Sequence, residues 1–336
     1  MSRTAVVILN YNGAAYLRKF LPSVVACSPE AEVIVADNGS TDNSIEVLKR
    51  EFPGVRLILF DQNYGFCGGY NRALQQVTDA DYYVLLNSDI EVTPDWLPPL
   101  IRLLDNNAGI AAVHPKILSY HQPSQFEYAG AAGGYIDALG YPFCRGRMFR
   151  AVETDSGQYN DQRPVFWATG ACLLIRAELY HQLGGLDEDF FAHMEEIDLC
   201  WKLQRSNHQV YYCGLSTIYH VGAGTLGYDH PRKTYLNFRN GLSLILKHFD
   251  TAELVYKFPV RLALDWLAAV VFLAQRKPAN AGAVLRAHVH FFWKSVRRDW
   301  RKRKAIRRTY PSYPRTTVYR GSIIFDHYIR RKSPRV

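Results

Sequence analysis

The chain has 336 residues, 48% hydrophobic and 21% charged, which excludes wholesale disorder and leaves room for one large α/β domain plus an appendage. The net charge of +9 is unevenly placed: through residue 249 there are 20 Lys and Arg against 26 Asp and Glu, and from residue 250 onward 20 against 5. A mildly acidic body with a basic tail directs the tail to an anionic surface, phospholipid or nucleic acid. Cys27, Cys67, Cys144, Cys172, Cys200 and Cys213 include no C-x-x-C pair, and several lie in apolar runs, so buried free thiols in a reducing compartment are expected. The N-terminus runs straight into a strand-like segment without the layout of a signal peptide, so a cytosolic catalytic part is expected.

In chain order, the β-branched run 4–9 predicts a buried strand, Asn10-Tyr11-Asn12-Gly13 a turn, and 14–26, with Leu17, Leu21, Val24 and Val25 at helical spacing, a helix. A second strand is expected at 32–36, then a helix capped by Ser40 or Thr41 and running through Arg50. Strands at 55–60 and 82–86 bracket a helix at 66–77. A helix at 95–104 and a strand at 110–113 follow. This β-α alternation predicts a mostly parallel sheet with helices on both faces, whose ligands bind beyond the carboxyl ends of the strands. Asn10, Asp37, Asn63 and Asp89 fall at those ends. Residues 114–163 read as irregular. Beyond them come a strand before Arg176, helices at 177–183 and 195–206, and short strands at 210–212 and 217–219. From about residue 228 the pattern is helical. The apolar stretch 262–274 is too short to span a bilayer, and nine Lys and Arg crowd between Lys294 and Arg308.

Four features carry chemistry. Asp37 opens the polar loop Asp-Asn-Gly-Ser-Thr-Asp and can accept hydrogen bonds from a nucleobase or ribose, although an Asx turn alone would account for it. Asn87-Ser88-Asp89 ends a strand and can offer a hard cation an oxygen ligand beside a diphosphate. Glu195, Glu196 and Asp198 gather at a helix start, pressed between aromatic and apolar residues that would raise a carboxylate pKa toward general-base duty. His220 ends a strand and suits a metal or a phosphate, although a lone His is more often structural.

Taken together, Val6 to Gly13, Ala36 to Asp42, Asn63 to Asn71, Leu85 to Asp89, Thr169 to Arg176, Gly184 to Phe191, Glu195 to Trp201 and Tyr219 to Gly222 strongly resemble glycosyltransferase family 2, over about residues 4–226. The look is nearest to the rhamnosyltransferase-like branch that builds bacterial surface polysaccharides. The resemblance implies a GT-A, Rossmann-like α/β fold and inverting transfer from a nucleotide sugar, such as dTDP-rhamnose or a UDP-sugar, to a glycan or lipid-linked acceptor. It implies donor contacts from Asn10, Asp37, Asn38, Asn63, Gly65, Asn71, Asn87 and Asp89. Asp89 and His220 would hold Mg²⁺ or Mn²⁺. The family's Glu-Asp pair is Glu195-Glu196 here, so the base falls among Glu196, Glu195 and Asp198. Residues 1–227 would be catalytic, with a nucleotide-sugar half at 1–113 and an acceptor half at 114–227. Residues 228–336 would form a helical, basic region on the cytosolic face of the inner membrane.

Two rivals have sequence tests. A sugar-1-phosphate nucleotidyltransferase needs a Gly-rich, basic phosphate loop after the first strand, where this chain has Asn10-Tyr11-Asn12-Gly13. A non-catalytic nucleic-acid-binding protein could use the basic tail, but nothing in the body reads like a nucleic-acid module.

Overall fold

Strand β1 (Thr4–Asn10) is buried along nearly its whole length, as its unbroken apolar run requires of a strand covered on both sides. The computed structural model describes residues 2–127, 130–149, 151–222, 230–332, 334 and 336. They form two units. One comprises residues 2–135, 143–191 and 195–222, and the other residues 136–142, 192–194 and those from His230 onward. The expected boundary at residues 227 and 228 lies outside the described residues.

In the first unit the chain continues through α1 (Ala14–Ala26), β2 (Ala31–Asp37), α2 (Ser44–Glu51), β3 (Arg56–Leu59), α3 (Gly65–Leu74) and β4 (Tyr82–Asn87). The strands lie in the order β3-β2-β1-β4, all parallel. Helix α1 turns Leu17, Leu21 and Val24 into the core, where Val6, Ile8, Val84 and Leu86 meet them. Along the chain there follow β5 (Ile90–Val92), α4 (Pro98–Asn106) and β6 (Ile110–Ser119), next β7 (Gly134–Asp137) and β8 (Pro142–Cys144), both divided between the two units, then β9 (Arg147–Met148), β10 (Ala151–Val152), β11 (Gln162–Val165), β12 (Cys172–Arg176), α5 (Ala177–Gln182), a 3₁₀ turn (Glu188–Phe190), α6 (Glu195–Arg205) and β13 (Gln209–His220).

Beyond β4 the sheet is mixed. Strand β12 runs antiparallel to β4 and β6, β13 parallel to β6, and β5 and β11 antiparallel to β13. The change of direction has a simple cause: β12 is reached through a long excursion of short strands rather than a crossover helix, and only the latter enforces parallel pairing.

Several local expectations are corrected. Neither Ser40 nor Thr41 caps α2: its N-cap position is Asn43, and Asp42 Oδ1 accepts from Ser44 N at 3.0 Å. Ser40 Oγ instead accepts from Asn12 N at 2.9 Å. The helix expected from residue 95 starts at Pro98, because Asp95 has φ +57° and proline suits a first turn. The two strands expected at 210–212 and 217–219 are one strand, β13, whose register shifts between Cys213 and Thr217 around Gly214. The segment read as irregular holds the end of β6 and five short strands, too brief for a period-two signal. All six cysteines are free, and five are buried.

In the second unit the described elements are α7 (Pro231–His248), α8 (Thr251–Ala274), α9 (Pro278–His290), a π-helical turn (Phe291–Ser295), α10 (Val296–Thr309), β14 (Val318–Tyr319) and α11 (Ile323–Tyr328). A capping box between Asp250 and Glu253 starts α8. Asp265, fully buried on α8, is held by Arg261 Nε at 3.1 Å, Tyr141 Oη at 3.2 Å and His288 Nε2 at 3.2 Å. The charge in the apolar stretch 262–274 is therefore turned inward and paired. Among the described residues no helix is long and apolar enough to cross a membrane.

Candidate functional site

The strand register assembles one edge of the first unit. Asn10 pairs with Asp37 across β1 and β2, and Leu9 with Asn87 across β1 and β4, so the carboxyl ends of three parallel strands bring Asn10, Asp37 and Asn87 into line. Because β12 is antiparallel, its entrance reaches the same edge: Asn87 N donates to Ala171 O at 2.9 Å.

Asp37 is fully buried and organises the loops around it. Its Oδ2 accepts from Asn10 Nδ2 at 2.8 Å and its Oδ1 from Ser40 N at 2.9 Å. Asn10 Oδ1 is buried with no hydrogen-bond partner, an acceptor left over at the strand end. It lies so near the next turn that a Cβ on Gly13 would stand 2.3 Å from it, which explains the glycine there. Asn38 Nδ2 donates to Asn63 Oδ1 at 3.1 Å and Gly65 O at 3.0 Å, and Asn38 Oδ1 accepts from Tyr64 N at 2.9 Å. Gly65, at φ +72°, donates its N–H to Asn63 Oδ1 at 2.8 Å. These four residues thus shape the rim. Asn71 is a tie: its amide bonds Leu186 at both N and O and accepts from Tyr180 Oη at 2.7 Å, anchoring α3 to the loop before the 3₁₀ turn.

Asn87 and Asp89 are half-buried, and the side-chain amide of Asn87 makes no hydrogen bond among the described residues. The antiparallel pairing of β5 with β13 sets His220 opposite Ile90, one residue from Asp89. His220 Nε2 lies 3.2 Å from Asp89 Oδ1, and Nδ1 lies 3.3 Å from Glu127 Oε2. Burial pulls the imidazole pKa down, but the two carboxylates outweigh it and push it up to about 10. Glu127 carries no signal of its own in the sequence, where it stands in the irregular segment without a motif. Gly222 is its only local sign: at φ +66°, a Cβ there would meet Glu127 Oε1 at 2.5 Å.

The three carboxylates of α6 part company. Glu195 is buried, its Oε2 has no partner, and burial followed by the nearby Glu196 charge raises its carboxyl well above the ordinary range. Asp198 is fully buried, 3.5 Å from Lys202 Nζ, which also donates to Gly185 O at 3.0 Å. Glu196 is the half-exposed member. It stands beside Gly170, where an added Cβ would lie 3.8 Å from Glu196 Cβ and 3.4 Å from the Phe66 ring.

The donor set at Asp89 fits a hard divalent cation in part: with its pKa at about 10 the His220 ring carries both protons, so Nε2 would have to release its proton as a cation binds. A histidine with a carboxylate behind one ring nitrogen and a second carboxylate beside the other is an arrangement metals use. Among the described residues no three His, Cys, Asp or Glu side chains form a complete cage. The remaining positions would fall to diphosphate oxygens and water, as Mg²⁺ usually has them.

Residues 5–184 match the family model described as glycosyl transferase family 2. Among curated relatives, the N-acetylglucosaminyl-diphospho-decaprenol L-rhamnosyltransferase of Mycobacterium tuberculosis is 27% identical over 252 residues, 69% of this chain and 82% of that one. Rhamnosyltransferase WbbL of Escherichia coli is 22% identical over 216 residues, 62% of this chain and 79% of that one. Among solved structures, GalNAc-T7 with UDP, GalNAc and Mn²⁺ aligns with a TM-score of 0.58 at 16% identity. That alignment covers 93% of this chain, which spans 58% of GalNAc-T7. Mannosyltransferase PcManGT from Pyrobaculum calidifontis, in complex with GDP-Man and Mn²⁺, aligns with a TM-score of 0.53 at 14% identity over 87% of each chain. At these identities the structural likeness concerns the fold, a GT-A-like α/β architecture.

Proposed function

This chain belongs to glycosyl transferase family 2 and is a glycosyltransferase, and from that premise we propose that it moves a sugar from a nucleotide-sugar donor to a glycan or lipid-linked acceptor with inversion at the anomeric carbon. The observation that carries this reading is the single edge at which strand register gathers Asn10, Asp37 and Asn87, with Asp89 and His220 following β4 and β13. The mycobacterial and enterobacterial rhamnosyltransferases support a surface-polysaccharide role, with dTDP-rhamnose or a UDP-sugar as donor and a lipid diphosphate as acceptor. The Mn²⁺ in both structural neighbours supports a divalent cation, which Asp89 and His220 would hold. When bound, the cation supplies countercharge to the departing nucleoside diphosphate.

The residues of the chain do the rest. The unpartnered Asn10 Oδ1 and the Asn87 side-chain amide are free to hydrogen-bond the donor, while Asp37, Asn38, Asn63 and Gly65 fix the loops that receive it. Glu196 takes the proton of the acceptor hydroxyl as that oxygen bonds the anomeric carbon and the bond to the diphosphate breaks. Its partial exposure favours it over Glu195, whose carboxyl burial raises well above the ordinary range, and over Asp198, which is engaged with Lys202.

Residues 1–227 form the catalytic part on this reading, with the donor half at 1–113 and the acceptor half at 114–227. Residues 228–336 hold the enzyme on the cytosolic face of an anionic membrane, as their charge favours. Release of nucleoside diphosphate across a panel of nucleotide sugars tests the donor class: turnover of at least one supports it, and none across the panel opposes it. Flotation with anionic vesicles that weakens with salt tests the membrane arm.

A further inference from the structure

Along α9, the π-helical turn and α10, two rows of exposed side chains run side by side, one residue out of step. Leu285, Val289, Trp293 and Trp300 form the apolar row, with Trp293 86% exposed. Arg286, Lys294, Arg297 and Arg301 form the cationic row, with the half-buried His290 between the first two. The spacings are those of helix faces. The opposite face, Phe291, Ser295, Asp299 and Arg303, is buried. There Arg303 works structurally, donating to Leu246 O at 2.9 Å and to Phe249 O.

The cationic row is uncompensated. Arg286, Lys294, Arg297 and Arg301 make no hydrogen bond or ion pair among the described residues. A cleft of about 640 Å³ opens beside Arg286, lined among the described residues by His230, Pro231, Arg232, Tyr235, Arg286 and His290. Tyr235 Oη is hydrogen-bonded to His290 Nδ1, which fixes both side chains. Burial, then the charges of Arg239, Lys294 and Arg298, hold His290 below the ordinary imidazole range. A second cavity of about 480 Å³ is lined by Lys294, Arg297, Arg298, Arg301 and Lys302 alone.

We propose that the cleft walled by Arg232, Tyr235, Arg286 and His290 is a seat for a phosphate carried by a membrane lipid, with the apolar row beside it resting at the acyl boundary. This deepens, and rests on, the reading that these helices meet an anionic membrane. Guanidinium groups offer paired donors to phosphate oxygens, and a terminal phosphomonoester presents more charge and more free oxygens than a phosphodiester. The apolar side decides against nucleic acid. A polynucleotide on the cations would leave the adjacent Leu285, Val289, Trp293 and Trp300 in water. A bilayer boundary covers them.

The test is binding of the full chain to phosphatidylcholine vesicles carrying either phosphatidic acid or phosphatidylglycerol at matched surface charge. The seat predicts about tenfold tighter binding to phosphatidic acid, the contribution of one charge-assisted contact. Arg286→Gln should erase that preference, whereas Lys304→Gln, an exposed change on α10 outside the cleft, should keep it. Equal binding to both vesicles, or a preference that survives Arg286→Gln, overturns the seat. Tight binding of inorganic phosphate without a preference for phosphatidic acid assigns the cleft to a free anion and overturns the lipid source. Tighter binding to single-stranded RNA than to either vesicle overturns the membrane choice. No readout depends on turnover, so failure here and failure of the glycosyl-transfer reading remain distinguishable.

Discussion

His220 Nε2 stands 3.2 Å from Asp89 Oδ1, with Glu127 Oε2 3.3 Å from the other ring nitrogen. In this line of three groups the Glu127 carboxylate neighbours Nδ1 while Nε2 faces Asp89. Glu127→Gln should therefore raise the divalent concentration needed for half-maximal activity by about 10- to 100-fold, as loss of an outer partner does at histidine sites. Titration of activity with Mn²⁺ checks this, and an unchanged metal dependence would show that Glu127 is only a packing group.

Glu196→Gln should lower kcat by about 10²- to 10⁴-fold, the usual contribution of a general base, while the donor KM stays near its original value. Steady-state kinetics with varied donor separates the two parameters. Normal turnover by Glu196→Gln, together with an inactive Glu195→Gln or Asp198→Asn, would move the base to another carboxylate of α6.

Asp265 has a different kind of role. Its carboxylate is fully buried against Arg261 and His288, and the Arg261 side chain is itself only 4% exposed. Asp265→Ala leaves that guanidinium buried without the carboxylate that it bonds, with only the more distant Asp137 in compensation, a loss of up to about 3–5 kcal/mol. Urea denaturation should show it as a lowered midpoint. A midpoint equal to that of the unaltered chain would mean that Tyr141, whose ring Arg261 covers at 3.6 Å, suffices to hold the cation.

His114 makes the fold sensitive to acid. Burial, reinforced by the Arg145 charge, pulls its pKa from 6.5 to about 3. The unfolded chain takes up this proton near the ordinary value, whereas the folded chain does not until about pH 3. Its share of stability is thus full above about pH 6.5 and falls with acidification by about 1.4 kcal/mol per pH unit. His114→Leu should flatten the acid limb of a stability profile relative to the unaltered chain. Identical limbs would remove His114 as the cause.

The alternation of short apolar runs and helical periods made β1 to β4 and their helices legible, since each was long enough to show its period. The site's strand ends were legible for the same reason: Asn10, Asp37 and Asn87 follow directly from where those runs stop. Glu127 was not, because its partner His220 is 93 positions away and the strands between are two to five residues long, with β13 the exception. The separate fates of Glu195, Glu196 and Asp198 were also hidden. A helix start fixes their spacing, but only the packing of α6 decides which is buried, which meets Lys202 and which meets solvent. Asp265 shows the converse: a charge in an apolar run looked costly in lipid, and its inward pairing removes that objection.

Metal-dependent glycosyl transfer at the Asp89 edge is tested most directly by nucleoside diphosphate release from the full chain and from Asp89→Ala, each with Mn²⁺ or Mg²⁺ and with excess chelator. Asp89→Ala also removes one of the two carboxylates that hold the buried His220 ring, so a lowered melting temperature is expected and the two chains are compared well below it, where both are folded. The expected result is turnover of at least one nucleotide sugar that needs the divalent ion and is abolished by Asp89→Ala. Full turnover in chelator, or an Asp89→Ala variant as active as the unaltered chain, would contradict it.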